Sequence, residues 1–313
     1  MAGPLDGLKV IDFSRVLAGP LCSRTLLDLG ADVTKVEPPS ADVARFSAPS
    51  DGKMSGYYAQ QNAGKRNISL DLNVPKAREI ALRLCDTADI IVENFRAGAL
   101  ASFGLDYASI AERNPKAVYV SITGYGQGGP WSSRMAYAPT VQAEAGFTAN
   151  SMDHYSKALR FFLAAMRRGD LVKDPRFATA ASRKSNFDAL HKIVQTWISS
   201  FPNNQTLDAQ FDEAKIAMGE IRNLAELADT EWADYWGATQ DVSDRAGGNY
   251  TLPGRPWKFS ANRLEPLGDP AFQGEHNHII CSELGFDLSE IAELEELGAI
   301  TPASAVASES ATT

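Results

Sequence analysis

The 313-residue chain has few of the residues from which metal, disulfide and proton-relay sites are built. Its three cysteines, Cys22, Cys85 and Cys281, are far apart, and it has four histidines. That is too little for a disulfide framework or a thiolate zinc site. Each cysteine lies in an apolar or helical context, which reads as a buried reduced thiol in a cytoplasmic protein. No apolar run approaches the roughly 20 residues of a membrane span. The opening MAGPLDGLKV has neither a basic n-region nor an apolar h-region, so no signal peptide is expected. No GxSxG elbow occurs, which removes the usual sequence sign of a serine hydrolase. No internal repeat is found.

Basic charge is also missing from the end of the chain, where no Lys or Arg follows Arg263. Residues 1–150 hold 15 Lys+Arg against 15 Asp+Glu, and residues 151–313 hold 15 against 24, which accounts for the whole net charge of -9. An acidic chain of this kind is a poor nucleic-acid binder. Any anionic ligand is expected in the neutral N-terminal half. What the chain does have is 44% hydrophobic and 22% charged residues, an ordinary globular composition. Its length suggests about two domains and permits a large core.

The first 125 residues alternate short apolar runs with amphipathic segments. LKVIDF, ADVTKVE, NISLDL, ADIIVENF and AVYVSITGYG read as strands. Helices are expected from about Pro20 to Gly30, from Pro75, and around Tyr107–Arg113. This order predicts an α/β fold, a Rossmann-like and mostly parallel sheet, with a smaller α+β domain after it. Ligands of such sheets bind beyond the carboxyl ends of the strands. After about residue 150 the spacing predicts helices over 153–168, 186–200 and 207–217. RAGGNYTLPGRPWKFS then reads as hairpin strands, and two more helices fall in GEHNHIICSELGF and LSEIAELEELGAI.

Gly124, Gly126 and Gly129 spell GxGxxG, but Pro130 and Trp131 follow instead of a helix, so no nicotinamide site is read there. His191 lies in a helical pattern and reads as packing, His276 and His278 as a polar helix start, and His154 stands alone. No metal site is expected, because two histidines two apart on a helix do not face one ion. Arg15, Lys35, Lys65, Arg66 and Arg96 fall near strand ends, where a guanidinium fork suits phosphate. Asn94, Phe95 and Arg96 together offer an amide, a flat apolar face and a cation, a set that suits an adenine nucleotide.

LDGLKVIDFSRVLAGPLCSRTLLDLGADVTKVEPP resembles the opening of the family III CoA-transferases, a family that includes formyl-CoA transferase, carnitine CoA-transferase and the α-methylacyl-CoA racemases. The resemblance continues through NAGKRNISLDLNVP, ADIIVENFRAGAL, LDYASIAERNPKAVYVSITGYGQGGPW and AYAPTVQAEAG, and returns in GDLVKDPRFATAASRKSNFDAL, LPGRPWKFS and GEHNHIICSELGF. It implies coenzyme A, as the substrate thioester, held by Arg15, Leu17, Ala18, Leu70, Asp71, Leu72, Asn73, Asn94, Phe95 and Arg96. Tyr137 would line the thioester pocket. In the family's racemases that position resembles a catalytic histidine, so Tyr137 points to transferase ancestry. The partners implied are an acyl-CoA, a small carboxylic acid and a second copy of the chain in an interlocked homodimer, with no nucleic acid and no membrane.

The chain departs from the family at one place. Family transferases use a nucleophilic aspartate in a Gly-Asp context after the tyrosine, followed by an arginine-rich turn, and neither is found. Covalent relay needs such a nucleophile. The resemblance implies that a block is missing here, with the join near Gly146–Ser151. Asp170 has a Gly-Asp context inside a small-domain motif, and Asp153 is nearer the tyrosine but reads equally as a helix cap. The resemblance divides the chain into a CoA-binding large domain at 1–150, a shortened small domain at 151–240, a segment returning to the large domain at 241–300, and a disordered tail at 301–313. Three readings stay open: a CoA-transferase, impaired or intact, a non-catalytic CoA-binding remnant, and an acyl-CoA racemase.

Overall fold

The fold is taken from a computed structural model that describes residues 3–49, 53–128, 132, 165–214, 226, 228–255, 264 and 266–303. The chain divides into two compact units: Met1–Met135 with Asn223–Thr313, and Ala136–Arg222.

The first unit is built on five parallel strands, β1 (Lys9–Asp12), β2 (Asp32–Glu37), β3 (Arg66–Ser69), β4 (Ile90–Glu93) and β5 (Val118–Ser121), in the order β3-β2-β1-β4-β5. Their β-branched cores (Val10 and Ile11, Val33 and Val36, Ile68, Ile90 to Val92) suit a sheet covered on both faces. Alternation along β1 sends Val10 to one face, with Val33, Val92 and the leucines of α1 (Ala18–Asp28). Ile11 goes to the other face, with Ile80 of α3 (Pro75–Asp86), Ile110 of α4 (Tyr107–Arg113), Ile91 and Ile280. Helix α1 packs on α2 (Gly56–Asn62), and α3 packs on α4. The α/β expectation therefore holds, with helices on both faces of a parallel sheet.

Two boundaries differ from the sequence reading. Helix α1 starts at Ala18, before Pro20, and gives way to Gly30, whose φ of 108° only glycine adopts freely. The third strand stops at Ser69; the Leu70 N–H still donates to the Glu37 carbonyl of β2 (2.8 Å), and Leu70 also bridges Ile300. The hairpin is real but shifted upstream: β6 (Thr239–Ser243) pairs antiparallel with β7 (Asn249–Pro253), so RAGG is its turn.

β3 is an edge strand, and unpaired edges invite association. The returning C-terminal segment covers this one with side chains that imitate a strand. Asn67 N–H donates to His276 Nδ1 (3.1 Å), His276 N–H donates to the Asn67 carbonyl (3.0 Å), and Ser69 N–H donates to Asn277 Oδ1 (2.9 Å). Helices at Asn277–Glu283 and Leu288–Glu296 complete the segment.

The second unit has described helices at Gly169–Lys173, Ala180–Ser185, Phe187–Ile198 and Asn204–Glu213. Leu190 and Val194 pack on Met166, Leu171 and Phe177. Trp197 meets Phe201 and Phe211 edge-on at 5.1 and 5.6 Å. His191 is exposed and stacks on Phe187 at 5.7 Å, so its packing is with a surface ring and not within the core. The helix expected from 153 and the tail beyond Ala303 lie outside the described residues.

His276 must stay neutral to accept from Asn67. Burial, followed by the cations Arg66 and Arg245, pushes its pKa below 6.5, against the opposing pull of Glu275. A depressed histidine pKa means that the unfolded chain binds the proton more readily. The stability due to this contact is complete above pH 6.5 and is lost as pH falls below it. Urea denaturation between pH 7 and pH 5 should show a steeper loss in the wild type than in His276→Gln.

Candidate functional site

All five strands end on one rim, at Asp12, Glu37, Ser69, Glu93 and Ser121. The chain leaves β1 toward β2 and returns to β4 on the other side, so a crevice opens between the carboxyl ends of β1 and β4.

The loop after β1 is tied across that crevice. Asn94, just past β4, accepts from Arg15 N–H through Oδ1 (2.8 Å) and donates through Nδ2 to the Arg15 carbonyl (2.7 Å). The Arg15 guanidinium lies over the Phe95 ring at 5.1 Å. Arg15, Leu17, Ala18 and Arg96 are exposed. Among the described residues neither the Arg15 nor the Arg96 guanidinium has a carboxylate partner. Buried Glu93 accepts from Phe95 N–H (2.8 Å) and from Gln127 Nε2 (3.0 Å), which joins the end of β4 to the glycine loop.

The structure thus gathers six of the residues expected at the ligand: Arg15, Leu17, Ala18, Asn94, Phe95 and Arg96. It places Leu70–Asn73 at the end of β3, two strands away along the same rim. There Leu70 is buried, Asp71 N–H donates to the Ala299 carbonyl (3.1 Å), and Asn73 turns back onto Asp71 Oδ1. The Asn94 amide, expected to face a ligand, spends one donor and one acceptor inside the protein.

Beneath the rim lies a layer of buried ions that the sequence reading missed. Asp12 accepts from Lys65 Nζ (2.9 Å), Ser23 Oγ (2.5 Å) and both donors of Ser14. Burial would raise its pKa, but the Lys65 and Lys35 charges and the two hydroxyls hold it well below the usual carboxylate range. Lys65 is pushed down to about 8 by burial, despite the pull of Asp12. Burial acts to raise Glu37 as well, but Arg45 and then Lys35 and Tyr58 bring it down to about 2. Lys35 and Lys65 therefore do not reach outward for an anion, as their strand-end positions suggested. Lys35 donates to the Ser14 carbonyl (2.8 Å) and pairs with Asp42 (3.1 Å), while Arg66 pairs with Asp32 and Glu283. The available signal was a lysine flanked by valines in a buried strand, VTKVE.

The sequence model of CoA-transferase family III matches residues 5–155 and 153–277. The chain belongs to CoA-transferase family III. The two matched pieces meet at 153–155, beside the join expected near Gly146–Ser151. Succinate–glutarate CoA-transferase of Agrobacterium fabrum is 44% identical over 152 residues, 46% of this chain and 38% of that protein. Human succinyl-CoA:glutarate CoA-transferase is 43% identical over 145 residues, 46% of this chain and 33% of that protein. The chain thus spans well under half the length of these curated relatives. A crystal structure of a CAIB/BAIF family protein from Brucella suis superposes with a TM-score of 0.70 at 25% identity, covering 91% of this chain and 100% of that one. A mutant of Rv3272 from Mycobacterium tuberculosis gives 0.70 at 25% identity, over 90% and 99%.

Of the remaining positions suggested by the family III resemblance, Tyr137, Asp153 and the join lie outside the described residues. Asp170 is exposed in the first turn of the Gly169–Lys173 helix, where its bond from Arg168 (2.7 Å) lowers its pKa. Among the described residues no cluster of three metal-ligating side chains occurs. Cys85 and Cys281 are buried, with pKa values pushed by burial to about 12 and about 11, and Cys22 is only half-buried.

Gly19 sits where α1 enters against the tied loop. A Cβ there would fall inside Ser14 and 3.3 Å from Asn94 Cγ. Gly19→Ala should therefore cost about 1–3 kcal/mol by forcing helix and loop apart, read as a lowered Tm in calorimetry.

Proposed function

We propose that the chain binds a CoA thioester at the β1–β4 crevice and passes CoA to a small carboxylic acid. The observation that carries this reading is a pair of exposed guanidinium groups, Arg15 and Arg96, that have no carboxylate partner among the described residues, with the Arg15 guanidinium over the Phe95 ring. A flat apolar face with two cations suits an adenosine phosphate. The names of the relatives, succinate–glutarate and succinyl-CoA:glutarate CoA-transferase, favour a dicarboxylate acceptor and an acyl-CoA donor. Leu17 and Ala18 would border the pantetheine arm, Leu70–Asn73 would close the far end of the rim, and Tyr137 would line the thioester. Asp153 and Asp170 are the carboxylates offered as nucleophile. The working form is a cytoplasmic homodimer without a metal or nicotinamide cofactor. The exposed apolar side chains Val16, Leu17, Leu21, Val43 and Phe46 support association.

A second reading, CoA binding without transfer, is favoured by one observation: the two pieces of the family match abut at 153–155. The two readings separate on a covalent intermediate. In transfer, a carboxylate attacks the thioester carbonyl, CoA thiolate leaves, and an acyl anhydride of the protein remains. Incubation with succinyl-CoA should then give a hydroxylamine-sensitive mass increase. Stabilisation by CoA without that adduct selects the binding-only reading.

Binding itself is testable by calorimetric titration with CoA. Arg15→Ala and Arg96→Ala should each weaken affinity about tenfold, the loss of one charge-assisted contact of about 1.4 kcal/mol. Equal affinity of the double variant and the wild type would remove the phosphate assignment.

A further inference from the structure

Four consecutive backbone amides follow β1, and each donates to a different group. Phe13 N–H donates to the Val92 carbonyl (2.9 Å), Ser14 N–H to Asp12 Oδ1 (2.9 Å), and Arg15 N–H to Asn94 Oδ1 (2.8 Å). Val16 N–H donates to the carboxylate of Asp42, 3.2 Å from each oxygen. The Ser14 carbonyl accepts from Lys35 Nζ (2.8 Å). Lys35 and Asp42 form an ion pair (3.1 Å) whose side chains are both fully buried. Asp42 is itself fixed: its N–H donates to Glu37 Oε2 (3.0 Å), and its Oδ1 caps Ala44 N–H (3.0 Å). In the midst of this Val16 has a φ of 68°. A β-branched residue in the left-handed region is strained, and such strain persists only where the surroundings impose it. The pair that does so faces the protein, not the crevice, and a ligand bound at Arg15 and Leu17 would not touch it.

We propose that Lys35 and Asp42 are positioning residues, a buried ionic clamp that holds Ser14–Leu17 in the shape that receives the CoA nucleotide. The proposal rests on the CoA reading above. Preorganisation of this kind lowers the ordering cost of binding, so its loss appears as weaker affinity more than as altered chemistry.

The test combines amide hydrogen exchange with CoA titration on the full chain. In the wild type the Arg15 and Val16 amides should be protected. Asp42→Ala should speed Val16 exchange and weaken CoA binding, each by about tenfold or more. Asp42→Asn keeps an oxygen for Val16 N–H but loses the ion pair with Lys35, and should recover only part of both. Val16→Gly relieves the strained backbone and leaves the clamp in place, so its Tm should be unchanged or higher and its CoA affinity close to that of the wild type. The clamp is overturned if Val16 exchanges freely in the wild type, or if a folded Asp42→Ala binds CoA as the wild type does. Should Asp42→Ala fail to fold, wild-type exchange and Asp42→Asn decide, and Val16 exchange and CoA affinity of Asp42→Asn equal to the wild type would overturn the ionic clamp. Absence of CoA binding by the unaltered chain overturns the functional reading, and the exchange data then decide the loop claim separately.

Discussion

A single buried carboxylate, Asp12 at the end of the central strand, sets the terms for everything above it. An unpaired charge in a dry interior costs several kcal/mol, so its partners cannot move without that cost. Lys65 comes from the turn before β3, Ser23 from α1, and Ser14 from the loop itself. Lys65 also donates to the Pro20 carbonyl and to Asn62 at the end of α2. One ionic contact therefore fixes the start of α1, the end of α2 and the root of the β1 loop relative to the sheet. Removing either charge would expose the other, which is why the network behaves as a unit.

The second layer of ions follows the same logic one strand over. Glu37 ends β2, is gripped by Arg45 and Tyr58, and accepts from Asn67 of β3 (2.6 Å). Asn67 in turn receives Gly274 N–H, and Gln273 reaches the Pro38 and Pro39 carbonyls. The C-terminal segment is thereby bound into the same polar layer that supports the rim. Its docking on β3 and the shape of the rim loops are thus coupled through Glu37, although about 200 residues of sequence lie between them.

The architecture was legible because its signal is local. Val, Ile and Thr runs separated by amphipathic stretches are strands and crossovers in any parallel sheet, and the glycine after α1 and the proline that opens α3 punctuate them. The contacts of Arg15 and Phe95 were half legible: position at strand ends was visible, orientation was not. Lys35, near the end of β2, and Lys65, just before β3, point inward instead, because Asp42 and Asp12 pair with them there at sequence distances that no spacing rule connects. The Asn94 strut escaped for the same reason, its partner being the backbone of Arg15. The upstream shift of the hairpin has a simpler cause. TQDVS carries little hydrophobic pattern, and only pairing with NYTLP makes it a strand.

Binding and transfer make different demands on this framework. Binding needs a braced rim with exposed cations, and the rim carries Arg15 and Arg96, which have no carboxylate partner among the described residues. Transfer needs a carboxylate that is both exposed to the thioester and free to attack. The buried rim carboxylates Asp12, Glu37, Asp42 and Glu93 are each committed to cations or to backbone N–H groups. Depression of the Asp12 and Glu37 pKa values further weakens them as nucleophiles, since a carboxylate stabilised as an ion gives up its charge reluctantly. These carboxylates are built to hold loops. An attacking carboxylate therefore has to come from outside that buried layer, and the half of the chain with 24 Asp+Glu against 15 Lys+Arg is where the sequence supplies carboxylates in excess of cations.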